Sequence, residues 1–209
     1  MNQWRSLFAK AIAILDEADK TANGLPWTFG GGTVLMFRYA HRVSTDIDLF
    51  LPDPQFLGFV SPSRNDVTDS LTDSFEEGAG YLKLVFPEGE IDFVACGWLT
   101  EDPWESSRIE GRDVRLERTA EIIGKKLWFR ADRFKARDLF DLSIATIREP
   151  AALDGLGSVM AARRDVLLKR LGDHESRLRS EFEALELLDR SMSFDDCVRI
   201  VTDRVGKAV

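Results

Sequence analysis

A glycine run followed by two aspartates in an apolar stretch constrains this chain more than any other feature. Gly30-Gly31-Gly32-Thr33 is followed by Arg42-Val43-Ser44-Thr45-Asp46-Ile47-Asp48-Leu49. In an extended strand successive side chains alternate between faces, so Ser44, Asp46 and Asp48 project together while Ile47 and Leu49 face a core. Aspartate is disfavoured in strands, and two carboxylates on one face repel unless a cation lies between them. Oxygen-only ligation by Asp46 and Asp48 favours Mg²⁺, with Mn²⁺ as a substitute. The glycine turn opens a short helix, whose first N–H groups on Gly31, Gly32 and Thr33 can hold phosphate oxygens. The pattern points to a site that handles a nucleoside triphosphate (NTP), against the plainer reading of a turn and a solvated edge strand.

Periodicity divides the chain into a mixed α/β part and an all-helical part. Residues 3–18 carry apolar side chains at helical spacing, ending near Asn23-Gly24. A short extended segment leads into the glycine turn, and a helix follows over 33–41, with His41 near its C-terminus, where imidazole is favourable. The strand over 44–51 is stopped by Pro52 and Pro54. Residues 54–75 read as a loop and a helix. Two strands, 81–86 and 90–96, flank Pro87-Glu88-Gly89, a hairpin signal. Gly111 marks a surface turn before Val114. Helices are expected over 120–131, 134–148, 151–171, 173–190 and 193–206, so a boundary falls near residue 118. The expected fold class is α/β (α+β): a small mixed sheet flanked by helices over 1–118, then a helical C-terminal domain over 119–209.

Charge is unevenly placed. The formal net charge is −8, yet residues 45–105 hold fourteen acids against Arg64 and Lys83, while residues 108–137 hold ten bases against five acids. Overall acidity is therefore a poor guide to partners, and the basic stretch is either a solvated helical face or a surface for phosphates. No apolar run approaches the roughly 20 residues that span a bilayer, so no membrane partner is expected. Cys96 and Cys197 are too few and too far apart for a disulfide framework, which fits reduced thiols and a cytoplasmic protein. With two histidines, His41 and His174, a histidine-rich metal centre is ruled out.

Asp92 stands alone in Ile91-Asp92-Phe93-Val94, and a carboxylate in an apolar strand is costly unless paired or metal-bound. Asp46, Asp48 and Asp92 on neighbouring strands form the set needed for two-metal nucleotidyl transfer. One ion steadies the departing pyrophosphate and the other the attacking hydroxyl.

The motifs 31–35 (Gly-Gly-Thr-Val-Leu) and 42–49 (Arg-x-Ser-x-Asp-Ile-Asp-Leu) resemble the nucleotidyltransferase toxins of the AbiEii/AbiGii type, within the DNA polymerase-β-like superfamily. Residues 121–127 resemble that family's lysine motif and 137–142 its RDxxDL motif, with Asp92 between. The resemblance covers residues 29–142 and implies a polymerase-β-like core followed by helices that contribute the last two motifs. It implies metal ligands at Asp46, Asp48 and Asp92, a phosphate-contacting lysine at Lys126 (or its neighbour Lys125), and a functional acid at Asp138 or Asp141. Lys126, Phe129 and Arg130 share a helical face, so Lys126 and Arg130 can follow a triphosphate; Lys125 instead has Glu121 one turn back. Asp141 can alternatively anchor Arg137 or brace the helices, Arg42 can neutralise charge near a cleft, and Ser44 can bond a phosphate. The implied function is Mg²⁺-dependent transfer of a nucleoside monophosphate (NMP) from an NTP to an acceptor. That acceptor is expected to be the 3′ end of tRNA, the protein being the toxin of a toxin–antitoxin or abortive-infection system with a cognate antitoxin. A small-molecule or protein acceptor, and a non-catalytic binding protein, are the alternatives.

Overall fold

The structure is a computed structural model that describes Gln3–Ala208. The chain forms two compact units. The first takes the segment ending at Val34, then Ser44–Trp98 and Trp104–Glu117; the second takes Leu35–Val43, Leu99–Pro103 and the chain from Arg118 onward.

The first unit begins with α1 (Gln3–Ala22) and β1 (Thr28–Gly30), which runs directly into α2 (Gly31–Tyr39), the helix that continues into the second unit. Next come β2 (Ile47–Leu51), the short helices α3 (Leu57–Val60) and α4 (Asp66–Leu71), then β3 (Phe75–Gly78), β4 (Tyr81–Phe86) and β5 (Gly89–Ala95). A last hairpin, β6 (Trp104–Ile109) and β7 (Arg112–Glu117), completes a seven-stranded sheet in the order β3-β4-β5-β2-β1-β7-β6. The pairs β2–β5 and β1–β7 are parallel and the others antiparallel.

Alternation sorts the sheet into two chemically different faces. Phe29, Ile47, Leu49, Leu51, Leu82, Leu84, Ile91, Phe93, Val114 and Leu116 are buried on one of them. α1 covers that face with Leu7, Phe8, Ala11, Ile14 and Leu15, and the Phe8 ring stacks on Phe29 at 5.6 Å. The other face carries the polar residues of the same strands.

The second unit is helical: α5 (Thr119–Arg130), α6 (Ala136–Arg148), α7 (Gly157–Asp173), α8 (Glu175–Glu183) and α9 (Phe194–Gly206). α6 is the central helix, packed against α5, α8 and α9. Its Phe140 ring meets His41 at 5.3 Å and Phe182 at 5.6 Å.

Several boundaries differ from the sequence reading. The strand expected over 44–51 starts only at Ile47, because the backbone before it bonds to side chains: Thr33 Oγ1 donates to the Asp46 carbonyl at 2.6 Å. β3, β6 and β7 were not anticipated as strands. β3 and β6 are the sheet's two edges, where charged, exposed residues are tolerated and the alternation signal fades. The helix expected over 33–41 ends at Tyr39, where Ala40 takes a positive φ of 48°. His41 is therefore not a surface cap but a fully buried residue. The helix expected over 173–190 stops at Glu183, and the chain beyond it bridges to Arg42 through Leu187.

Glu121 ties an outlying segment to the helical unit. It is fully buried on α5, accepts hydrogen bonds from Leu99 N (3.1 Å), Thr100 N (2.9 Å) and Thr100 Oγ1 (2.8 Å), and pairs with Lys125 Nζ at 3.3 Å. Lys125 is thus the buried partner of Glu121, the acid one turn back. Glu121→Ala strands these donors, and the expected loss is about 3 kcal/mol of unfolding free energy in urea titrations.

Candidate active site

The site is built on the polar face of the sheet, opposite the face that α1 packs against. Strand register places Lys83 (β4) opposite Asp92 (β5), Asp92 opposite Asp48 (β2), and Asp48 opposite Gly30 (β1). Directly opposed residues share a face, and strands lie about 4.8 Å apart, so these four stand in a row. Glu117 of β7 extends it. A Cβ added to Gly30 would lie 2.4 Å from Glu117 Oε2, and Glu117 Oε1 accepts from Thr28 Oγ1 at 2.8 Å.

The glycine turn is required sterically as well as conformationally. Gly31 has φ +71°, and a Cβ there would fall 1.8 Å from Asp48 Oδ2. The Asp48 carboxylate therefore lies against the bare backbone at the start of α2. Gly31, Gly32 and Thr33 are the first three residues of that helix, where N–H groups lack intrahelical partners. Thr33 itself is fully buried, its hydroxyl holding the chain at Asp46.

Asp48 and Asp92 strain against each other. Burial and then repulsion from Asp48 push the Asp92 carboxyl up to about 6, with Lys83 opposing and with Glu90 and Asp46 adding to the rise. Asp46 lies just before β2, with Oδ1 accepting from Glu90 N at 3.2 Å. Among the described residues no group of three or more His, Cys, Asp or Glu is assembled to hold a metal ion. The carboxylates expected as a set of three are thus present as an opposed pair, with Asp46 tied to the Glu90 backbone. The pair fits a hard divalent cation nonetheless: all donors are oxygens, the two carboxylates repel each other with Lys83 as a partial countercharge, and phosphates and water can complete the shell.

The helical unit arranges its candidates differently from expectation. Lys126 is 7% exposed and turns inward, away from solvent. It hydrogen-bonds Asp138 Oδ1 and lies 3.0 Å from Asp141 Oδ2. Asp138 and Asp141 are fully buried. Asp141 is the hub: Oδ1 accepts from His41 Nε2 and Arg42 Nε, both at 2.7 Å, and Oδ2 from Arg42 Nη2 at 2.9 Å. Burial alone would raise Asp141, but Arg42, Lys126 and His41 hold it well below the usual carboxylate range. Burial likewise opposes Lys126 and Arg130 at Asp138, and the cations win, keeping it below its ordinary value. Arg42 therefore neutralises Asp141, and Asp141 braces the helical unit through Arg42. Arg130, 3.9 Å from Asp138, has a side chain 39% exposed. Ser44 is half-buried in the irregular chain before β2.

Sequence reasoning missed three members of these groups. Lys83 and Glu117 sat in strands read either without side-chain roles or not as strands at all. His41 was assigned to a helix end. Alternation along 112–117 was the available signal for Glu117, obscured by the arginines on both faces.

The family model of the nucleotidyl transferase AbiEii toxin, type IV toxin–antitoxin system, matches residues 13–194. The chain belongs to the AbiEii nucleotidyltransferase toxin family. It is accordingly a nucleotidyltransferase, and its family implies an NTP substrate and an antitoxin partner. No curated protein matches the sequence. Among solved structures, JHP933 from Helicobacter pylori aligns with a TM-score of 0.55 at 18% identity, covering 99% of this chain and 91% of its own. The antibiotic-resistance factor ANT(2'')-Ia aligns at 0.55 and 18%, covering 83% and 98%. The nucleotidyltransferase toxin MenT4 from Mycobacterium tuberculosis aligns at 0.50 and 19%, covering 97% and 82%. At such identities the likeness is one of fold, shared by this AbiEii-family chain over nearly its whole length. Among its described residues no helix is long and apolar enough to cross a membrane.

Two outcomes test this geometry. Asp141→Asn keeps the shape but leaves Arg42 and Lys126 undercompensated in the interior, and costs about 3 kcal/mol or more in denaturant unfolding. Asp92 titrates above its ordinary 3.8 in the folded chain, so its protonated form favours folding and that benefit is lost as pH rises through about 6. In a metal chelator, Asp92→Asn therefore raises the melting temperature by a few degrees at pH 8 and leaves it nearly unchanged at pH 4, as read by scanning calorimetry.

Proposed function

We propose that this nucleotidyltransferase moves an NMP from an NTP to the 3′ end of tRNA in a Mg²⁺-dependent reaction, acting in the cytoplasm as a toxin in phage defence. The observation that carries the reading is the opposed pair Asp48–Asp92 beside a glycine turn that only an unbranched backbone can make. Mutually repelling carboxylates next to a helix N-terminus suit a cation–triphosphate complex.

In this mechanism the N–H groups of Gly31, Gly32 and Thr33 hold triphosphate oxygens, and Thr33 fixes the Asp46–Asp48 segment through its hydroxyl. Asp46, Asp48 and Asp92 are the residues that would hold the metal. Mg²⁺ (two ions, or Mn²⁺ in its place), when bound, supplies charge neutralisation for the triphosphate and the departing pyrophosphate. Asp92, its carboxyl raised to about 6, is suited to accept the proton of the attacking hydroxyl at neutral pH. Ser44, two residues before Asp46, is assigned to a phosphate. Lys126 and Asp138 hold each other in the helical unit, so we assign them to positioning Arg130, which takes the direct phosphate contact proposed from sequence. The bases of residues 108–137 other than the buried Lys125 and Lys126 would favour a polyanionic acceptor, with a salt-sensitive affinity.

Incubation with Mg²⁺, each labelled NTP and total RNA tests the proposal. Label is expected on tRNA, and Asp48→Ala is expected to lower transfer at least a hundredfold without loss of fold. Label on an aminoglycoside or a protein instead would replace the acceptor. No transfer to any acceptor, with Asp48→Ala indistinguishable from wild type, would leave a binding protein.

A further inference from the structure

The acid row on the sheet ends in a cation supplied by the chain itself. Lys83 on β4 stands opposite Asp92, and its Nζ lies 3.5 Å from Asp92 Oδ1 while hydrogen-bonding Glu90 Oε2. Glu90 and Asp92 are two residues apart on β5 and share a face, so one ammonium spans both carboxylates. The Lys83 side chain is only 26% exposed, and between residues 45 and 105 the other base is Arg64. A lysine so placed among many acids is held where a cation is needed.

We infer that Lys83 is a positioning residue that acts as the built-in countercharge of Asp92. It fixes the orientation of that carboxylate through Oδ1 and competes with divalent cations for the Asp48–Asp92 pair. Two opposed carboxylates demand roughly two positive charges, and Lys83 supplies one before any metal arrives. The demand left for solution cations is then reduced, and the pair binds a divalent ion weakly until a triphosphate brings further oxygens and negative charge. The chemistry is general: an ammonium on one side of a carboxylate lowers its attraction for a second cation on the other side. Such a device leaves the metal-free site folded and ionised, and makes tight metal uptake depend on nucleotide. The inference rests on the assignment of Asp48 and Asp92 to the metal given above, and the test separates the two.

Mn²⁺ binding to the nucleotide-free protein, followed by electron paramagnetic resonance and by isothermal titration, is the direct measurement. Lys83→Met is expected to bind Mn²⁺ roughly tenfold more tightly than wild type, since a competing charge at close range is gone. Lys83→Gln, which keeps a polar side chain, is the second neutral variant and is expected to behave alike. Lys83→Arg keeps the charge and is expected to match wild type. Adding a non-hydrolysable NTP is expected to narrow the gap between Lys83→Met and wild type. Unchanged or weaker Mn²⁺ affinity in both neutral variants, with binding still lost in Asp48→Asn, overturns the role of Lys83 and leaves the metal assignment standing. Mn²⁺ binding that survives intact in Asp48→Asn overturns the assignment itself.

Discussion

Everything at the candidate site follows from one register: Asp48 on β2 opposite Asp92 on β5, in parallel strands at the middle of the sheet. Two carboxylates in that relation repel, and the surroundings are arranged around that repulsion. Gly31 gives up its side chain so that Asp48 can lie against the start of α2. Lys83 approaches Asp92 from the next strand. The backbone N–H of Glu90 takes Asp46. What remains is a concentrated negative charge beside a helix N-terminus, a combination with little structural use and an evident chemical one.

The helical unit shows the opposite solution to buried charge. Asp141 collects His41, Arg42 and Lys126 around a single carboxylate, and Asp138 shares Lys126. There the charges are matched, the carboxyls are held low, and the groups are sealed from water. A burial of this kind suits bracing more than chemistry, because removing any partner leaves an uncompensated charge inside. The two units thus divide the work of the family's motifs: the opposed aspartates on the sheet repel each other with Lys83 as a partial countercharge, and the lysine and RDxxDL motifs pair internally.

Much of the fold was legible beforehand. α1, the 81–95 hairpin and the central helices of the second unit have strong periodicity, and they form close to where that periodicity places them. β6 and β7 were not legible, because Arg112, Asp113 and Arg115 put charge on both faces of an outer hairpin where packing does not enforce alternation. The inward turn of Lys126 was also hidden. Its own helix offers it no acid one turn back, only Ile122 and Ile123, and its partners lie on α6.

By itself the sequence determined the glycine turn, the Asp-x-Asp spacing, the lone Asp92 and the ordered motifs, and with them the family. These are local patterns, set by backbone conformation and by which side chains share a face. Only the tertiary structure decided that Asp48 faces Asp92 with Lys83 beside them, that Glu117 closes the row, and that Lys126 and Asp138 are spent on each other. Those are facts of strand register and helix packing, and partners far apart in sequence carry no local signature of their meeting.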